Sequence, residues 1–368
     1  MMLQNYIIII FLLITQFIIA QNETDTLKLD WEDYNPPSTL VVPKTIITRA
    51  KFPFIDVHSH QWRMDEMDLN DLIRPMNEMN MGIMNNLSGR NGEKLKKMTD
   101  NIKKQFPNRF IVFANIELRS IDEPDWAVET VKQLEYDYNN GAKGLKIYKS
   151  QGMTNQDSKG NRIPIDDPRI DPIWLKCGEL GIPVLIHSAD PKSFWEPHDN
   201  QNERWLELKT HPRRKRTDMN SASWEQIISE QHHIFKKHPK TNFIAAHFGW
   251  HPNDLTKLGQ LLDDMPNMYV EIGAIIAELG RQPRAANKFF EKYQDRVLFG
   301  KDSWKPREYP TYFRVLESDD EYFPYYKRYH AFWKMYGLAL PDHILKKLYY
   351  KNALKIIPGL DMSLFPKD

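Results

Sequence analysis

The sequence predicts an α/β chain folded as a single (β/α)8 TIM barrel, and three observations carry that expectation. Short apolar runs suited to buried parallel strands recur over residues 54–302, with helical patterns between them. Eight such βα units point to a closed parallel barrel instead of an open sheet. Several runs end in a polar group, and an α/β barrel displays its functional groups at the carboxyl ends of its strands.

Taken in order, the chain opens with an export segment. Residues 6–20 are nearly all Ile, Leu and Phe, broken by Thr15 and Gln16, and end in Ala20 before polar Gln21. Such a run reads as a signal peptide over 1–20, too short and interrupted for a comfortable membrane span. With no Lys or Arg ahead of the run, an uncleaved anchor is the alternative. The protein is therefore expected to be exported, periplasmic or secreted. Residues 21–50, with Pro36-Pro37 and Pro43, read as an arm without a core of its own. The barrel then occupies 51–360, followed by a tail over 361–368.

The first strand is Phe54-Ile-Asp-Val-His-Ser-His60. Strand side chains alternate, so Asp56, His58 and His60 share a face. Two imidazoles at i and i+2, about 6–7 Å apart at their base, can lean onto one metal ion. Further strands are expected near 81–88, 109–117, 143–149, 183–188, 242–248, 267–273 and 296–302. Helices include 69–79, 126–139 and 170–180, the last carrying Cys177 as a small core residue. As the sole cysteine, Cys177 can form no internal disulfide. Four later runs end in Lys146, His187, His247 and Asp302 or close to them. Closure sets the last strand beside the first, bringing Asp302 next to His58 and His60, with His187 and His247 on the opposite wall. The tail helix spans 341–360, with Ile344, Leu345, Leu348 and Leu354 on one face.

The longest interruption, 188–224, and the loop after the eighth strand mix aromatic and cationic residues. From the loops of that face, Trp195, Arg213, Trp250, Lys305 and Arg307 are the candidate substrate-binding residues. His232, His233 and His238 lie on or near a polar helix and read as a solvated face. A formal net charge of +1 argues against nucleic-acid binding.

The pieces Asp56-Val-His-Ser-His60, Gly141-Ala-Lys-Gly-Leu-Lys146, Gly181-Ile-Pro-Val-Leu-Ile-His187, Ala246-His-Phe-Gly249, Phe299-Gly-Lys-Asp302 and Asn352-Ala353 resemble the amidohydrolase superfamily, in its family 2 branch. The resemblance implies a divalent ion held by His58, His60 and His187, with Asp302 completing the site and exchanging protons. It also implies that His247 polarises a substrate oxygen, or binds a second ion if there is one. Such donors suit Zn²⁺, with Mn²⁺ or Ni²⁺ as alternatives and one ion favoured. Lys146 stands where some members carry a carboxylated lysine; it is taken here as an unmodified cation facing the substrate.

The function expected is that of an exported enzyme acting on a small anionic saccharide, or on another carboxylate. Elimination of water from a uronate end is preferred narrowly to hydrolysis of an amide, ester or lactone. A non-catalytic saccharide-binding barrel is the reading from another class, and the intact ligand set argues against it.

Overall fold

The computed structural model describes residues 29, 30, 32–217 and 222–367; the expected export segment lies outside them. The chain divides into two units, Met1–Val42 and Pro43–Asp368. The described residues of the first carry no helix or strand. Among the described residues no helix is long and apolar enough to cross a membrane.

In the second unit the described residues form eight parallel strands paired in chain order. They are β1 (Phe54–Ser59), β2 (Met81–Asn86), β3 (Phe110–Asn115), β4 (Ala142–Ile147), β5 (Val184–Ile186), β6 (Phe243–Ala245), β7 (Met268–Glu271) and β8 (Val297–Leu298). Runs such as Val184-Leu-Ile186 are buried at every position, because helices cover one face and the barrel interior the other. Two hydrogen bonds join the two ends of the sheet. The Val57 N–H donates to the Phe299 carbonyl at 3.0 Å, and the Asp302 N–H to the His58 carbonyl at 2.7 Å. Glycine is needed beside that seam, since a Cβ on Gly300 would collide with the Glu271 carboxylate.

Helices return the chain between strands: α1 (Asn70–Met79), α2 (Gly92–Gln105), α3 (Trp126–Asn139), α4 (Asp171–Leu180), α5 (Trp205–Thr210), α6 (Trp224–Lys237), α7 (Leu255–Asp264), α8 (Ile276–Gly280), α9 (Pro283–Tyr293) and α10 (Tyr309–Glu317). Each of the longer ones turns an apolar stripe inward, as α2 does with Leu95, Met98 and Ile102. Cys177 on α4 is fully buried.

Two expectations are corrected. The tail helix is not continuous: α11 (Asp342–Lys346) passes through a π turn (Lys347–Lys351) into α12 (Asn352–Ile356). The Leu348 carbonyl within that turn accepts from the Phe299 N–H at 3.0 Å, so the wider turn ties the tail to the end of β8. Asn352 adds a side-chain bond to the Val297 carbonyl at 2.7 Å. The α6 histidines are not one solvated face. His233 is exposed and meets Asp166 at 2.7 Å, but His238 is buried against Asp171 at 2.9 Å. His232 packs 6.0 Å from His251, and burial lowers it to a pKa of about 3. An antiparallel pair, β9 (Phe323–Pro324) and β10 (Lys334–Met335), was not foreseen.

Candidate active site

The strands deliver their polar residues to one rim. His58 lies on β1 with His60 just beyond it, Lys146 lies on β4, and Glu271 ends β7. His187, His247 and Asp302 follow β5, β6 and β8. Asp302 Oδ1 is 3.5 Å from His58 Nε2 and 3.8 Å from His60 Nε2. The His58 and His247 rings are 5.1 Å apart, and His247 Nε2 is 3.4 Å from His187 Nδ1. His58, His60 and Asp302 therefore form one group able to hold an ion, and His187 joins it through His247.

The partners of each Nδ1 set the tautomers. His58 Nδ1–H donates to Glu271 Oε1 at 3.0 Å, and His60 Nδ1 pairs with Ser88 Oγ at 2.8 Å. His247 Nδ1–H donates to the Gly273 carbonyl at 2.7 Å, which leaves its Nε2 to accept from His187 Nδ1–H. His58 thus presents a bare Nε2 3.5 Å from Asp302, the form a metal ligand needs, while His187 turns Nδ1 toward His247 and keeps its own lone pair on Nε2. The Nε2 atoms of His58 and His187 are buried without a hydrogen-bond partner, as is Lys146 Nζ. An orphaned imidazole lone pair 3.5 Å from a carboxylate, with a second imidazole 3.8 Å from the same oxygen, is the condition that a divalent cation relieves, so the residues present fit one.

Electrostatics agree with that fit. Burial, and then the charge of Lys146, drives His58 well below its ordinary range and His60 to about 4. Burial followed by His247 does the same to His187. Burial pushes Asp302 upward, but the neighbouring histidines and Lys146 outweigh it and keep the carboxylate ionised. Burial lowers Lys146 to about 7.

Glu271, fully buried, organises the rim. It accepts from the His247 N–H at 2.7 Å and the Gly273 N–H at 2.5 Å, as well as from His58. The sequence gives no more than a carboxylate at a strand end, equally suited to a buried cation. Its hold on His247 is needed, because His247, Phe248, Gly249 and Trp250 all have φ between 56° and 59°. Left-handed backbone costs non-glycine residues roughly 1 kcal/mol or more each. Asp56, sharing the β1 face, is also structural. It accepts from the His58 and Lys301 N–H groups and the Tyr309 hydroxyl, binding β1 to the residues after β8.

Of the candidate substrate residues, Trp250 stands closest, its ring 4.7 Å from His247 and 5.8 Å from His187, with a buried indole N–H that has no partner. Trp195 donates its indole N–H to the Ala222 carbonyl at 3.0 Å and packs against the core. Arg213 is exposed on a 3-10 turn, and its neighbours take up the acids: Arg214 pairs with Glu207, Arg216 with Asp190. Lys305 and Arg307 are exposed, and Lys305 lies 3.8 Å from Glu308. Unforeseen are Trp62 and Arg90, which reach the rim beside His60.

The amidohydrolase family model matches residues 103–358. That match starts after His58 and His60, which the fold supplies from β1. A search of curated proteins finds no match. Among solved structures, 2,6-dihydroxybenzoate decarboxylase bound to 2,6-dihydroxybenzoate shares 14% identity over 83% of this chain and 99% of its own, with a TM-score of 0.51. An assigned amidohydrolase from Staphylococcus aureus shares 18% over 83% and 99%, also at 0.51. A 4-oxalomesaconate hydratase from Rhodopseudomonas palustris shares 16% over 84% and 97%, at 0.49. The first two likenesses are of fold. With the matched family model spanning most of the barrel and a rim fitted for a cation, the chain belongs to the amidohydrolase family and is a metal-dependent enzyme of that superfamily.

Proposed function

We propose that this protein is an exported dehydratase that eliminates water from the uronate end of an anionic oligosaccharide fragment. The observation carrying the reading is Lys146: a buried amino group without a hydrogen-bond partner, on the same rim as the histidines and Asp302. A cation left unpaired in a dry interior is costly, and an anionic substrate offsets that cost.

His58, His60, His187 and Asp302 would hold one divalent ion, with Zn²⁺ favoured by the imidazole and carboxylate donors and Mn²⁺ or Ni²⁺ as alternatives. Bound there, the ion supplies Lewis acidity toward a substrate oxygen. Lys146 faces the uronate carboxylate and favours the negative charge that develops on it. Asp302, kept ionised, accepts the proton from the carbon next to the carboxylate. That electron pair forms the carbon–carbon double bond, and Asp302 passes the proton on to the adjacent hydroxyl, which leaves as water. His247 Nε2, in exchange for its bond from His187, accepts from a substrate hydroxyl, and the loop residues Trp195, Arg213, Trp250, Lys305 and Arg307 shape access.

The alternative, hydrolysis of an amide, ester or lactone, uses the same residues with Asp302 moving protons to and from water. Incubation with uronate oligosaccharides, followed by the absorbance of a new conjugated double bond and by product mass, separates the two. A product lighter by one water supports elimination. A product heavier by one water overturns it, and no reaction on any uronate overturns the substrate class.

A further inference from the structure

Three rings stand together on one sector of the rim. His60, Trp62 and Tyr148 have centroids 5.9–6.2 Å apart and planes within 12–27° of parallel. They come from the ends of β1 and β4, and residues after β2 hold them in place. The Tyr148 hydroxyl donates to the Leu87 carbonyl at 3.0 Å and lies 3.3 Å from Ser88 Oγ, which also meets His60. Trp62 is nevertheless 51% exposed. A large indole left in water costs free energy, and its exposed surface is available to a flat partner.

Arg90 adds the charge. Its guanidinium lies 4.6 Å from the centre of the Trp62 ring, and the residue is exposed. Its backbone is left-handed (φ 61°), and Asn115 fixes it from both sides. The Arg90 N–H donates to Asn115 Oδ1 at 2.9 Å, and the Asn115 N–H to the Arg90 carbonyl at 2.8 Å. Strain of this kind in a residue that could be glycine, as its neighbour Gly89 is, points to a use for the side chain. Arginine over an aromatic ring still offers N–H groups for a bidentate contact with carboxylate or sulfate.

We infer that Trp62 and Arg90 form a second saccharide subsite beside the reacting one: Trp62 stacks on the ring next to the terminal uronate, and Arg90 binds an anionic substituent of that ring. The inference rests on the proposed function and adds to it that the preferred substrate has at least two sugar rings. Trp62 and Arg90 act on affinity, with no part in the bond changes. Stacking and a charge-assisted hydrogen bond are each worth about 1–2 kcal/mol, or roughly tenfold in binding.

Binding is measured by calorimetry on the Asp302→Asn protein, to stop turnover, with galacturonate and digalacturonate as probes and circular dichroism as the check on folding. The disaccharide is expected to bind at least tenfold tighter than the monosaccharide. Trp62→Ala and Arg90→Ala should each remove most of that advantage and leave the monosaccharide unchanged, with Trp62→Phe retaining it. In the active protein, Trp62→Ala should raise KM for oligosaccharides at nearly constant kcat. Equal binding of the two probes, or an equal loss on both in Trp62→Ala, overturns the second subsite alone. Failure of both probes to bind overturns the uronate reading as well.

Discussion

Replacing Glu271 by glutamine removes a charge without changing shape, and the contacts of that carboxylate define the outcome. Oε1 accepts from His58 Nδ1–H and the His247 N–H, and Oε2 from the Gly273 N–H. An amide has one acceptor oxygen, so one side must face a donor with its own NH2. If the oxygen stays with the histidines, the Gly273 N–H is left unpaired at a buried position. If it turns to Gly273, His58 loses its acceptor, and its proton shifts to Nε2, the nitrogen needed bare. One unsatisfied buried donor costs about 1–3 kcal/mol, and lost charge assistance on the remaining bonds adds roughly 1 kcal/mol. Metal affinity should fall about 10–100-fold, as it does when the carboxylate behind a ligating histidine is removed. Urea unfolding and competition with a chromophoric chelator read the two effects. Wild-type stability together with wild-type metal affinity in Glu271→Gln would refute the role of this carboxylate in setting His58.

Further outcomes follow from buried ionisable groups. Lys146→Met should abolish turnover and raise thermal stability, because a buried amino group without a hydrogen-bond partner is exchanged for an apolar chain of similar length; differential scanning calorimetry beside activity tests both halves. Asp137, buried on α3 and bonded by the Gly92 N–H at 2.7 Å, is raised to about 6 by burial. A carboxyl raised on folding favours the native state below its unfolded pKa of 3.8, and that contribution is lost as pH climbs through 6. Asp137→Asn should therefore gain on wild type by about 1–3 kcal/mol between roughly pH 4 and pH 8, read from denaturation midpoints. Cys177, fully buried and with its thiol pushed up by burial, should resist thiol reagents until the protein unfolds; reaction at the native-state mixing rate would contradict that.

The barrel was legible because parallel strands leave a plain record. Runs such as Phe243-Ile-Ala245 are apolar throughout, and the polar residue that follows each sits where strand geometry places it. The grouping of His58, His60 and Asp302 follows from closure alone, since strand order fixes who stands beside whom. What escaped depends on local backbone that no periodicity records. Arg90 reaches Trp62 through a left-handed residue between Gly89 and Gly92, a pattern that reads as an ordinary loop. Around Arg213 the sequence does not show which acids meet its basic neighbours: Asp190 takes Arg216, and Glu207 takes Arg214. His238 seemed solvated because its partner, Asp171, starts α4, 67 residues earlier in the chain.

The closing bonds Val57–Phe299 and Asp302–His58 lie among the candidate ligands themselves. The early and late parts of the polypeptide therefore meet at the place where the ion would sit, and an occupied centre becomes the clasp of the whole ring. Loading and completion of the barrel are then linked equilibria, each favouring the other. A shortened chain beginning where the family match begins would lack half the clasp, whatever secondary structure it kept.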